Sequence, residues 1–89
     1  MAHKNDLEEL MSIINLGINI ILHFIELEEN RIYMLVTNKL LGLIDLLVWC
    51  LNRPTKFVYS LSFVPNIFYI LNRHIRQSLV CADYLHIQN

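Results

Sequence analysis

The sequence predicts an all-α chain of four to five helices, arranged as a short α-solenoid-like array or an irregular helical bundle. Three observations carry that expectation. Polar residues interrupt the apolar runs every three or four positions, as Asn15, Asn19 and His23 do in "SIINLGINIILHF", and that spacing stacks them on one helical face. Only two glycines and two prolines punctuate 89 residues, and no Gly- or Ser-rich linker divides them. Apolar residues make up 55% of the chain with a mean hydropathy of +0.42, above the roughly 45–50% of ordinary globular chains, so apolar surface should be left over after a small core is filled.

The first helix is expected over about residues 6–28. Asn5 is placed to cap its first turn, and Glu8 three residues on completes a capping-box-like pair. From Leu7 onward Glu8, Ser12, Asn15, Asn19, His23 and Glu26 form one polar stripe on a helix otherwise lined by Leu, Ile and Met. Thr37 and Asn38 weaken helix continuity, so the next apolar stretch divides into helices over about 30–37 and 39–52. Pro54 and Pro65 each suit a helix's first turn, which predicts helices over about 55–62 and 64–77. The mixed tail 78–89 is expected to fray or add a turn, and the whole to form a single helical domain, 1–89.

One internal echo stands out. "GLIDLLVWCLNR" at 42–53 and "SFVPNIFYILNR" at 62–73 share their polar pattern at an offset of twenty and both close on Leu-Asn-Arg. Paired helix-loop units of that length give the forty-odd-residue period of helical repeat arrays. "SFVPNIFYIL", with Pro opening an apolar helix, resembles the start of the last helix of an armadillo unit, and "GLIDLLVWCL" resembles the same element without Pro. The resemblance to armadillo and HEAT repeats covers roughly residues 30–77, and its spacing departs from the full repeat. It implies a scaffold that binds protein through helix faces.

Charge and motif content narrow the function classes. The net charge is −1, but residues 1–30 carry six acids against Lys4, giving −5, and residues 31–89 carry six Lys or Arg against Asp45 and Asp83, giving +4. Such a layout can steer docking between helices or between copies. Arg53, Lys56, Arg73, His74 and Arg76 lie among Tyr59, Phe68 and Tyr69, ingredients of a nucleic-acid patch, but two small clusters in a net-negative chain make nucleic acid an unexpected partner. Cys50, His74, Cys81 and His86 match no zinc-site spacing, so no metal or other cofactor is expected. Asp45 has no second carboxylate on its face and no nucleophile pairing is visible, so the chain does not read as an enzyme. Isolated Gly17 and Gly42 cannot build a phosphate loop.

The acidic opening "MAHKNDLEEL" differs from a secretory leader, and Cys50 in the apolar "LLVWCL" suits a reducing compartment. A cytoplasmic location is therefore expected, with a membrane as the alternative. The uncharged runs bracketed by Glu9 and Glu26, and by Lys56 and Arg73, hold sixteen residues each, short of the about twenty that a bilayer core requires. The leading expectation is a non-enzymatic module that docks a protein partner or a second copy of itself through apolar helix faces. Its expected contact residues are the ridge Asn15, Asn19 and His23 and the aromatics Trp49, Phe57, Phe63 and Phe68. The alternative is a small integral membrane or pore-forming protein of two to three short helices, with that ridge lining its interior.

Overall fold

The computed structural model describes residues 2–53 and 61–88, and these are built from four helices: α1 (Ala2–Phe24), α2 (Glu28–Thr37), α3 (Leu41–Leu51) and α4 (Val64–Gln88). The helix expected over 55–62 falls mostly outside the described residues. Leu61, Ser62 and Phe63 form a turn leading into α4, so that helix does not extend to 62. The all-α class is as the polar spacing predicts.

α1 begins ahead of the expected Asn5 cap and stops at Phe24, short of residue 28. Two side chains beyond the stop explain it. Asn30 Nδ2 donates to the Phe24 carbonyl at 2.7 Å, and Arg31 Nη1 donates to the carbonyls of Ile25 and Glu26. Carbonyls that a helix end leaves unpaired are thus satisfied from outside the helix, and the chain bends by 117° into α2. The expected break near residue 38 is present. Asn38 takes the left-handed conformation with φ of 54°, its N–H bonds the Leu35 carbonyl, and the Lys39 N–H bonds that of Met34. This paired arrangement closes a helix with a left-handed residue, a conformation Asn tolerates better than most.

α4 opens with Pro65 in its first turn, where a missing N–H leaves no bond unmade. It then runs through the expected boundary at 77 to Gln88, so the tail is helix at least that far. The register explains the continuation: Ile67, Ile70, His74, Gln77 and Cys81 recur every three or four residues on its inward side.

α4 is the element against which α1, α2 and α3 each mainly pack. The core consists of Ile18 and Ile25 from α1 and its end, Met34 and Leu40 from α2 and its exit, Leu43, Leu47 and Cys50 from α3, and Leu61, Phe63, Ile67 and Ile70 from α4 and its approach. The two echoing segments share a buried register, with Leu43, Leu47 and Cys50 matching Phe63, Ile67 and Ile70. Extents of 60 × 22 × 17 Å and a radius of gyration of 15.8 Å make the molecule elongated, against about 12 Å for a compact chain of this length. Its accessible surface is 6748 Å², roughly a quarter above the about 5,400 Å² of a folded monomer of this mass.

Candidate functional site

That surplus surface is apolar and ordered in stripes. On α1, Ile13, Leu16, Ile20 and Phe24 follow one another at three or four residues, and Ile13 and Ile20 are 66% and 61% exposed. Their side of the helix lies opposite the core side, which carries Ile18, and borders the polar ridge along Leu16 and His23. Phe24 meets Tyr33 of α2 edge-on, with ring centroids 6.2 Å apart, which carries the stripe across the bend to Tyr33 and on to Val36, 80% exposed. A second stripe, Leu41, Ile44, Val48 and Leu51, runs the length of α3. A third, Phe68, Ile75 and Leu79, lies on α4 on the side away from Ile67 and Ile70.

Between α1 and α3 lies a groove of about 280 Å³, largely apolar, whose lining includes Gly17 and Gly42 together with Ile21 and Leu46. Neither glycine has an atom within 4 Å of where a Cβ would stand, so the groove is open at both.

The predicted contact residues are dispersed by the fold. Asn15 is half-buried, while Asn19 and His23 face solvent on the polar ridge, beside the apolar stripe. His23 Nδ1 sits 3.5 Å from Glu26 Oε1, an exposed contact worth little. Trp49 is half-buried against the core and carries the Arg53 guanidinium 4.6 Å from its ring centroid. Phe57 lies outside the described residues. Phe63, 2% exposed, is a core residue and not a surface anchor, a correction that follows from its position in the turn that tucks under α4. Phe68 is half-exposed and belongs to the α4 stripe. Sequence reasoning missed the α1 stripe itself, although the spacing of Ile13, Leu16, Ile20 and Phe24 was there to find. A helix with only a narrow polar ridge has more apolar circumference than one neighbour covers.

The chemistry elsewhere is sparse. Arg31 Nε donates to Gln77 Oε1 at 3.1 Å, a half-buried link between α2 and α4, and Gln77 Nε2 reaches Cys81 Sγ on the same helix at 3.7 Å. Burial pushes the Cys50 thiol above its ordinary pKa, with the Arg53 charge opposing more weakly. Burial lowers that of His74, which lines a very small cavity with Arg31 and Arg73. Among the described residues no group of three His, Cys, Asp or Glu side chains is arranged to hold a metal ion, and no buried side-chain polar atom lacks a partner.

The fold and these surfaces define an elongated all-helical chain with uncovered apolar stripes on several of its helices. Comparison with protein-family models, with curated proteins and with solved structures returns no significant match.

Proposed function

We propose that the chain is a non-catalytic docking module whose exposed apolar stripes are covered by protein, in the manner of helical scaffolds of the armadillo and HEAT kind. The α1 stripe of Ile13, Leu16, Ile20 and Phe24 carries this reading. Contiguous apolar surface on a small chain marks an interaction site more often than idle surface, and Phe24 and Tyr33 are residue types that anchor interfaces well.

A membrane reading has one observation in its favour. Among the described residues no single helix is long and apolar enough to span a bilayer, but Glu8–Phe24 and Glu28–Thr37 together reach the length and composition of a broken span. The charges oppose it. Glu26, Glu28 and Glu29 sit at the bend between the two arms, where a broken span would carry them into the bilayer. Insertion there costs about 2.5–3.5 kcal/mol for an acidic side chain.

A photo-crosslinking residue in place of Ile20, in cells that make the protein, separates the two readings. Discrete protein-sized adducts are expected. Lipid adducts together with carbonate-resistant pelleting would overturn the docking reading.

A further inference from the structure

We propose that the cavity between the start of α2 and the middle of α4 binds a dianionic phosphoryl group, held by Arg31, Arg73 and Arg76. This site is separate from the docking reading and does not depend on it.

The cavity measures about 190 Å³ and is lined by Glu28 and Arg31 of α2 and by Arg73, Arg76, Gln77 and Val80 of α4. Spacings of three and four residues set the α4 members on one side of that helix, next to the inward Ile70 and His74. Arg31 faces them already fixed in place. Its Nε donates to Gln77 Oε1, and its Nη1 donates to the carbonyls of Ile25 and Glu26. Its Nη2 donates to no atom among the described residues, which leaves the two N–H groups of that nitrogen for a ligand. A side chain ordered beforehand gives up little further freedom on binding.

Charge selects the class of ligand. Three guanidiniums and one carboxylate line the cavity, a net of +2. The described residues include every Asp and Glu of the chain, and the only ion pair among them is His23 with Glu26. Glu28 therefore shares the cavity without pairing with any of its arginines, and the excess positive charge stays unmatched within the chain. Like charges gathered in a concave site raise the local concentration of anions. A phosphate monoester carries about −1.5 to −2 at pH 7, which matches the excess, whereas a carboxylate or a phosphodiester brings a single charge. The planar fork of each arginine also fits phosphate oxygens two at a time. Free phosphate and a lipid headgroup of the monoester kind present the same group, and the test separates them.

The test is an NMR titration of the full-length chain with inorganic phosphate at about pH 7.5, where the dianion prevails, with ionic strength held constant by sodium chloride. The Arg31 Nε–H and the amides of Arg73, Arg76 and Gln77 should shift along one saturable curve. Acetate should bind about ten-fold more weakly, since it brings one charge in place of two. Arg73→Gln and Arg76→Gln should each weaken phosphate binding about ten-fold, the loss of one charge-assisted bond. Glu28→Gln should tighten it several-fold by removing the one negative charge in the cavity. Circular dichroism checks each fold, and because Arg76 is exposed its variant serves alone if Arg73→Gln does not fold. Absence of a saturable shift, acetate binding as tight as phosphate, an Arg76→Gln chain that binds like the wild type, or weaker binding in Glu28→Gln would each overturn the site. Once phosphate binds, flotation with vesicles of phosphatidylcholine and phosphatidic acid names the source. Flotation that Arg76→Gln abolishes places the phosphoryl group on a lipid, and a chain that stays behind takes it from solution; the site stands in both cases.

Discussion

Arg31 Nε donates to Gln77 Oε1 at 3.1 Å across forty-six residues of sequence, tying the start of α2 to the middle of α4. The same guanidinium reaches back to carbonyls at the end of α1, so one side chain joins three helices. Gln77 is 5% exposed and would be left with an unpaired amide oxygen without it. Arg31→Ala should lower stability by about 1.5–3 kcal/mol, the range for hydrogen bonds to a charged group, as read by urea unfolding. A change below about 0.5 kcal/mol would show that the link is not formed in solution.

Ile70 and Ile75 lie on opposite sides of α4, one fully buried and the other 59% exposed. Ile70→Ala should cost about 2–5 kcal/mol through lost transfer energy and a residual cavity. Ile75→Ala should stay within about 0.5 kcal/mol, as surface changes do. Equal losses in denaturant titrations would place the α4 stripe inside the fold.

Gly17 lies in the interior of α1 and Gly42 in the first turn of α3, both with open space where a Cβ would stand. Gly17→Ala should raise stability by about 0.8–1 kcal/mol, because glycine loses more backbone freedom on folding and the methyl meets no obstacle, and Gly42→Ala should raise it by less, since the helix start carries a smaller glycine penalty. A loss of stability in the same thermal scans would mean that the groove between α1 and α3 is closed in solution.

The His74 imidazole is held below its ordinary pKa of 6.5 by burial. The unfolded chain then binds the proton more readily than the folded one, so His74 supports the fold fully above pH 6.5. That support is lost as pH falls from 6.5 through the lower folded pKa. His74→Gln should flatten this part of the stability profile between neutral and mildly acidic pH. An unchanged slope in the variant would assign the dependence elsewhere.

Cys50 is fully buried, and its thiol is made less acidic by that burial. Cys81 is half-buried on α4. A thiol reagent should therefore modify Cys81 first in the folded chain and Cys50 only at the rate of unfolding, since the thiolate is the reacting form. Mass mapping that finds Cys50 modified at the same rate as Cys81 would contradict the core assignment.

Local chain chemistry sets the all-α class, the break at Asn38 and the start of α4 at Pro65, because helical periodicity, the turn tendency of Asn and the proline ring act within a few residues of chain. The sequence by itself determined equally that apolar surface would be left over, from the mismatch between composition and the core volume available to 89 residues. Tertiary structure alone decided which apolar side chains are covered. Ile67 and Phe68 are adjacent on α4, yet the first is in the core and the second half-exposed, since a helix with apolar residues around most of its circumference leaves that choice to its neighbours. Tertiary structure also ended α1 at Phe24, through side chains from the next helix, and carried α4 on to Gln88 along a face that Arg31 and Gln77 pin in place. The Arg31–Gln77 bond crosses forty-six residues and local pattern holds no record of it, while the stop of α1 rests on side-chain contacts five or six residues long that helical periodicity does not report.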